Sequence, residues 1–193
     1  MQSIAVYCGS ATPADPAYID HARSVGTALA GAGIRVIYGG GRLGLMGALA
    51  DAALAAGGEV VGIIPEALVG AEVAHHGCTR LEVVAGMHER KRRFTDLCDG
   101  FITLPGGVGT MDELWEAISW AQLGYHQKPV GLLNMGGFYD DLVRFYAHMA
   151  AVGFVRPAHQ NIMVVRENIQ DLLTAMRDYQ PHATIFAMKA EDL

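Results

Sequence analysis

The stretch FITLPGGVGTMDE at residues 101–113 joins a short apolar run to a helix-like run through a turn rich in glycine. The run 101–104 has the character of a buried strand, and the pattern over 110–122 predicts a helix. A glycine turn that opens a helix exposes backbone N–H groups at the positive end of the helix dipole. The stretch therefore predicts an α/β fold with an anion site, most often for phosphate, at the end of this strand.

The alternation of strand and helix extends along the chain in both directions. Strand-like runs cover 4–8, 34–38, 60–64, 81–84, 101–104, 130–134 and 162–165, and helical patterns cover 16–32, 45–56, 87–98, 110–122, 138–151 and 168–178. Strands that are apolar on every residue are typical of parallel sheets covered on both faces. The pattern predicts a single Rossmann-like domain over 1–193, with a doubly wound, mainly parallel sheet of about seven strands flanked by helices. We expect 65–79 to be irregular and the tail after Pro181 to be loosely held.

Composition and charge exclude several classes of partner. The chain has 193 residues, is 51% hydrophobic and carries a formal net charge of −6, which argues against non-specific nucleic-acid binding. No apolar run approaches the ~18 residues that a membrane span needs. The three cysteines are an odd number at no metal-like spacing, and no basic segment precedes the first apolar run. We expect a cytoplasmic protein with reduced thiols and no membrane or nucleic-acid partner.

Three glycine clusters follow predicted strands. They are Gly9-Ser10, Gly39-Gly40-Gly41 and Gly106-Gly107-x-Gly109. In doubly wound sheets, ligands bind beyond the carboxyl ends of the strands, where all three clusters fall. The glycines could simply permit tight turns, but the strand–turn–helix context favours anion binding. The pattern is neither a Walker A loop nor the dinucleotide fingerprint.

Glu113 has two interpretations. The order Thr110-Met111-Asp112-Glu113 fits a capping box, in which threonine and glutamate bond to N–H groups at a helix start. A carboxylate one turn into the helix is equally a candidate acid–base group beside the phosphate. Asp112 is the neighbouring acid, but adjacent helical positions diverge by roughly 100°, so the two are not expected to face one site.

Arg90 lies on a helical face with three apolar residues. Met87, Phe94 and Leu97 share its face at helical spacing, and their apolar character places that face in the core. A buried arginine needs an anionic partner, which a ligand phosphate or Glu113 could supply. If the partner is Glu113, the arginine and the helix N-terminus should lower the pKa of Glu113 and keep it ionised.

A metal site is not indicated. His75, His76 and Cys78 have no second ligand pair at matching spacing, so an irregular polar loop is the simpler interpretation.

At this point the motifs resemble those of the Lonely Guy family of cytokinin-activating phosphoribohydrolases, often mislabelled lysine decarboxylases. The resemblance runs from Cys8 to Phe154, nearly the whole chain. It is carried by Tyr38-Gly39-Gly40-Gly41, Gly44-Leu45-Met46-Gly47, Met87-His88-x-Arg90-Lys91, Pro105-Gly106-Gly107-x-Gly109-Thr110-x-x-Glu113 and Gly124-x-His126-x-Lys128-Pro129. The chain departs from the family pattern at Ala11, Arg42 and Asp112, and Arg42 could add charge near the phosphate.

The resemblance implies an activity and a set of site residues. The family hydrolyses the N-glycosidic bond of N6-substituted adenosine 5′-monophosphates without a metal or organic cofactor, typically as a homodimer. Arg90 and Glu113 would be the catalytic pair. The resemblance places substrate contacts at Glu72, Arg90, Lys91, Gly107, Val108, Gly109, Thr110, Met111, Asp112, Glu113 and Ser119, with further nucleotide contacts at Gly9, Ser10, Gly40, Gly41, Met87 and Gly106.

Two other functions stay open, and the lysine decarboxylase label fits the residues less well than either. A general AMP nucleosidase would use the same residues without preferring an N6 substituent. A non-catalytic carrier of a nucleotide or of molybdenum cofactor would need only the phosphate loop, whereas Arg90 together with Glu113 favours an enzyme. A lysine decarboxylase usually needs a lysine bound to pyridoxal phosphate. Lys91, whose pKa could be lowered by the neighbouring arginines, would be the candidate.

Overall fold

Seven strands form one parallel sheet in the computed structural model, which describes residues 1–186 except the side chains of Ala71 and Glu72. The strands are β1 (Ser3–Tyr7), β2 (Arg35–Tyr38), β3 (Val60–Pro65), β4 (Arg80–Val84), β5 (Gly100–Thr103), β6 (Val130–Leu133) and β7 (Met163–Arg166). Their order is β4-β3-β2-β1-β5-β6-β7, and every neighbouring pair is parallel. The predicted Rossmann-like sheet of about seven strands is confirmed.

The helices lie between the strands in the predicted order. They are α1 (Ala17–Gly31), α2 (Gly44–Ala55), α3 (Glu66–Leu68), α4 (Met87–Leu97), α5 (Val108–Leu123), α6 (Asp140–Ala151) and α7 (Ile169–Arg177). The segment expected to be irregular after β3 is partly helical, because α3 continues into a π-helical turn at Val69–Val73. None of the helices within residues 1–186 is long and apolar enough to cross a bilayer.

Both faces of the sheet are covered. Helices α1, α2 and α7 pack against one face, and α4, α5 and α6 pack against the other. Successive strand residues alternate between the two cores: Val6 points to the first and Tyr7 to the second, and both are buried. This double burial explains why the strands are apolar at every position.

The direction of winding reverses between β1 and β5. From β1 the chain adds β2, β3 and β4 on one side, and from β5 it adds β6 and β7 on the other. The loops after these two strands therefore diverge and leave a crevice at their carboxyl ends. They touch at Gly9, whose N–H donates to the Pro105 carbonyl at 3.1 Å.

The chain after Pro181 is anchored as far as it is described. The His182 ring bonds through Nε2 to the Ala121 carbonyl at 2.9 Å, and the Ile185 N–H donates to the Gln122 carbonyl at 2.8 Å. The expectation of a loosely held tail is wrong for residues 181–186, because carbonyls at the end of α5 accept hydrogen bonds from them; residues 187–193 lie outside the described part of the chain.

Candidate active site

A cleft of about 460 Å³ lies at the carboxyl edge of the sheet, over the ends of β1, β2, β3 and the loop after β5. All three glycine clusters contribute to it, as the sequence predicts. Its described lining consists of Cys8, Gly9, Ser10, Ala11, Gly39, Gly41, Met46, Ile64, Leu68, Val73, Arg90, Gly107, Val108, Gly109, Thr110 and Glu113.

Arg90 enters the cleft from α4 and is held by the ends of two strands. Its Nε donates to the Ile63 carbonyl at 3.1 Å, and its Nη2 donates to the Gly39 carbonyl at 3.4 Å. The guanidinium carbon lies 5.2 Å from the centre of the Phe94 ring, one turn further along the helix. The residue is only 7% exposed, which confirms the prediction that Arg90 faces inward. Met87, on the same predicted face, is 43% exposed, with its sulfur 3.9 Å from Arg90 Nη1.

Glu113 is the anionic partner of Arg90. Its Oε1 lies 3.3 Å from Arg90 Nη1, and the residue is 6% exposed. Burial raises the pKa of Glu113 to about 7, although the charge of Arg90 acts in the opposite direction. Arg90 acts on this pKa in the expected direction, but the expectation that the pKa of Glu113 is lowered overall is wrong, because the loss of hydration outweighs the attraction of Arg90. Near neutral pH the carboxyl group can both accept and release a proton.

The capping box is not formed. Helix α5 begins at Val108, two residues before the predicted start, with Gly107 in extended conformation as its N-cap and no side-chain cap. Thr110 is therefore inside the helix. Its hydroxyl packs behind the loop, where a Cβ on Gly106 would lie 2.1 Å from the Thr110 Oγ1. The first N–H groups of the helix consequently have no capping side chain and face the cleft.

Gly107 and Gly109 leave bare backbone beside these N–H groups. A Cβ on either residue would meet no atom within 4 Å, and neither has a φ in the left-handed region. Nothing in the described protein requires glycine at these two positions, whereas Gly106 is required by packing. Their absence of side chains opens the helix N-terminus to the close approach of an anion.

The structure does not bring every expected residue into the cleft. Among the expected nucleotide contacts, the described lining omits Gly40, Met87, Lys91, Gly106, Met111, Asp112 and Ser119. Gly40 is buried against β3, and Gly106 lies in an adjacent apolar pocket of about 180 Å³. Ser119 and Asp112 are exposed on α5. The Glu72 side chain lies outside the described part of the chain.

Lys91 connects α4, which carries Arg90, with α5, which carries Glu113. Its Nζ lies 2.9 Å from both the Asp112 and the Glu116 carboxylates, across the seam between α4 and α5. Burial alone would lower the pKa of Lys91, but its hydrogen bonds to Asp112 and Glu116 raise it above the ordinary value. The lowered pKa considered for a Schiff-base lysine is therefore wrong. As expected, Asp112 faces away from Glu113.

Several residues at the cleft are missed by motif reasoning. The Gly39 and Ile63 carbonyls anchor Arg90, and apolar side chains from Met46, Ile64, Leu68 and Val73 form a wall. Gly39 and Met46 belong to the motifs quoted above, but the role of a backbone carbonyl carries no side-chain signal, and Ile63, Ile64, Leu68 and Val73 belong to no motif. Within residues 1–186, no group of three or more His, Cys, Asp or Glu side chains could hold a metal ion.

Solved structures share the fold. The molybdenum cofactor binding protein from Rippkaea orientalis aligns with a TM-score of 0.69 at 22% identity, over 91% of this chain and 95% of its own. The molybdenum cofactor carrier protein from Chlamydomonas reinhardtii aligns with a TM-score of 0.66 at 20% identity, over 91% of this chain and 96% of its own. At such identities the likeness concerns the fold alone.

Sequence relatives are much closer. Residues 46–176 match the family model described as possible lysine decarboxylase. A cytokinin riboside 5′-monophosphate phosphoribohydrolase from Rhodococcoides fascians is 44% identical over 91% of this chain and 89% of its own length. A protein of the same name from Arabidopsis thaliana is 39% identical over 98% of this chain and 90% of its own length. With this identity over nearly its full length, the chain belongs to the family of the cytokinin riboside 5′-monophosphate phosphoribohydrolases.

Proposed function

We propose that the protein hydrolyses the N-glycosidic bond of N6-substituted adenosine 5′-monophosphates and releases the free base and ribose 5-phosphate. The observation that carries the proposal is the buried pair of Arg90 and Glu113, 3.3 Å apart in the cleft. A carrier has no need of an acid–base group beside the phosphate loop, whereas a hydrolase does. The relatives named as phosphoribohydrolases support the same activity.

The substrate phosphate binds at the N-terminus of α5. The exposed backbone from Gly107 to Gly109 and the start of the helix supply N–H donors and a favourable dipole. Gly9, Ser10 and Gly41 line the cleft nearby and contact the rest of the nucleotide. Binding of the phosphate, which does not react, supplies energy that holds the ribose in place for the chemical step.

Glu113 acts on the ribose carbon that bears the base. The bond from this carbon to the base nitrogen breaks through an oxocarbenium-like transition state, which an ionised carboxylate stabilises. Glu113 also accepts a proton from the attacking water, whose oxygen forms the new bond to the ribose carbon. The proton taken up by Glu113 then passes to the base nitrogen, directly or through water, so the base leaves neutral and the carboxylate is regenerated. Arg90 orients the carboxylate and attracts the phosphate.

The remaining parts of the proposal rest on the family resemblance. We place the enzyme in the cytoplasm as a homodimer of single-domain chains that uses no metal or organic cofactor. Lys91 acts through its contacts with Asp112 and Glu116, which brace α4 against α5. The resemblance also implies contacts of the nucleotide with Glu72, Met111 and Ser119, which are part of the proposal.

The test is release of free base. The purified protein is incubated with N6-isopentenyladenosine 5′-monophosphate and with AMP in parallel, and the base is quantified by chromatography. We expect release from the first substrate well above that from AMP. Equal release would indicate a general AMP nucleosidase, and tight AMP binding without release would indicate a carrier.

The variant Glu113→Gln separates chemistry from binding. It keeps the size of the side chain but cannot take up a proton, so we expect base release to be lost while AMP binding is largely preserved. The matched control is Glu167→Gln, which makes the same change at an exposed position just after β7. Near-normal turnover by Glu113→Gln would overturn the role of Glu113.

A further inference from the structure

We infer that His75 is a positioning residue, which fixes one wall of the cleft by binding Asp51 on α2. The inference rests on the proposed function in treating the cleft as an AMP site, but it does not depend on turnover. The wall in question is formed by the end of β3 and the segment 66–75 that follows it, from which Ile64, Leu68 and Val73 line the cleft.

This wall faces the catalytic pair with apolar side chains. Leu68 and Val73 line the cleft from the segment, opposite the start of α5. Two backbone hydrogen bonds join the end of the segment to the second glycine cluster. The Arg42 N–H donates to the Val73 carbonyl at 2.8 Å, and the His75 N–H donates to the Gly40 carbonyl at 2.8 Å. A shift of His75 therefore moves both the wall and the glycine loop beside it.

The His75 ring makes two directional contacts. Its Nδ1 accepts from the Gly77 N–H at 3.1 Å, so in the neutral ring the proton is on Nε2. Nε2 then donates to Asp51 Oδ1 at 3.0 Å. The His75 side chain is 11% exposed, whereas that of Asp51 is 72% exposed. Asp51 can therefore be changed without disturbing the core.

Asp51 belongs to a helix that is itself attached to the site. The first turn of α2 is held by the loop after β1, because the Leu45 N–H donates to the Gly9 carbonyl at 3.1 Å. Gly9 in turn donates to the Pro105 carbonyl in front of the phosphate loop. The contact between His75 and Asp51 thus fixes the wall to α2. Helix α2 is in turn joined through Gly9 to the residue that precedes the phosphate loop. A residue on a helix that is fixed in this way holds the His75 ring more precisely than a residue on a loop would.

The experiment compares two Asp51 variants and a control, together with His75→Ala and the double variant Asp51→Ala/His75→Ala. Asp51→Ala removes the acceptor, and Asp51→Asn retains an oxygen that can accept from Nε2. Asp141→Ala is the matched control, since it removes an exposed aspartate paired with an arginine on α6, away from the cleft. AMP binding is measured by calorimetry, and KM and kcat for base release are measured in parallel with thermal unfolding.

For Asp51→Ala we expect AMP binding about fivefold weaker and KM raised by a similar factor, with kcat within about twofold of the wild type. Asp51→Asn should restore binding to within about twofold, and Asp141→Ala should have no effect. Because both residues act through one contact, Asp51→Ala should cost little further affinity in a His75→Ala background. If His75→Ala does not fold, the two Asp51 variants decide the question alone.

Wild-type AMP affinity in Asp51→Ala, or equal losses in Asp51→Ala and Asp141→Ala, would overturn the inference. Additive losses in the double variant would do the same. A wild-type protein that binds AMP but releases no base would instead remove the proposed function, and the binding measurements would still test the positioning role.

Discussion

Replacing Gly39 by alanine should displace Arg90 without unfolding the protein. Gly39 directly follows the strand β2, and its carbonyl accepts from Arg90 Nη2 at 3.4 Å. A Cβ on this residue would lie only 2.2 Å from that nitrogen and 3.1 Å from the end of the Met46 side chain. The φ of Gly39 lies outside the left-handed region, so the backbone accepts alanine. The clash therefore falls on the ends of the Arg90 and Met46 side chains and not on the backbone.

The size of the effect follows from the distance. Non-bonded heavy atoms approach to about 3.5 Å, so the guanidinium must retreat by about 1.3 Å. That retreat breaks the bond to Gly39 and changes the 3.3 Å approach of Arg90 to Glu113. A misplacement of about 1 Å at a catalytic group costs on the order of a hundredfold in rate. Overpacking costs about 1–3 kcal/mol of stability, which lowers the Tm by several degrees in a chain of this size.

The assay measures kcat for base release and the Tm of Gly39→Ala and of a control, Gly31→Ala. Gly31 ends α1, and a Cβ there would meet nothing within 4 Å, so alanine should be neutral or stabilising by less than about 1 kcal/mol. We expect kcat to fall about a hundredfold in Gly39→Ala while the protein remains folded at 25 °C. Wild-type kcat in that variant would refute the argument that the strand-end carbonyl places Arg90.

Three further predictions concern Glu113 and the phosphate loop. Because Glu113 must be ionised to accept a proton, kcat should rise with pH through about 7 and then level off, and a flat profile between pH 6 and 8 would contradict this. The raised pKa means that the contribution of Glu113 to stability is full below its ordinary value of 4.5 and is lost as pH rises through about 7. As pH rises from 4.5 to about 7, the Tm of the wild type should therefore fall more than the Tm of Glu113→Gln, and thermal scans at several pH values test this. Gly109→Ala places a methyl group in open space, so we expect an unchanged or higher Tm but at least about tenfold weaker AMP binding by calorimetry; unaltered affinity would argue against phosphate binding there.

Most of the fold could be predicted from the sequence because two periodic signals agree. Fully apolar strands and intervening helical patterns indicate a parallel sheet, and the structure confirms all seven strands. The inward position of Arg90 was also predictable, since Phe94 shares its helical face and is buried in the core. Both inferences depend on the spacing of apolar residues along one strand or helix, and that spacing indicates which faces of the element are buried.

The properties that were predicted wrongly depend on packing between distant segments. Thr110 and Glu113 have the spacing of a capping box, but Gly107 starts the helix earlier because its extended backbone serves as the N-cap. Lys91 follows an arginine in sequence, yet its pKa is set by two carboxylates on another helix. Local sequence shows which charges are present, but it does not show how much water each one loses.

Burial raises the pKa of Glu113, and the way in which Arg90 divides its donors limits the opposing effect of its charge. Two of the arginine nitrogens bond to the carbonyls of Ile63 and Gly39, so only Nη1 faces the carboxylate. The resulting distance of 3.3 Å is longer than the roughly 2.7–2.9 Å of a strong charge-assisted bond. A bidentate pair at that shorter distance would hold Glu113 ionised and leave it a poor base. Because the carbonyls of Gly39 and Ile63 occupy two of the guanidinium nitrogens, the effect of burial on the pKa of Glu113 exceeds the effect of Arg90. The carboxyl group therefore keeps a proton affinity suited to proton transfer at neutral pH.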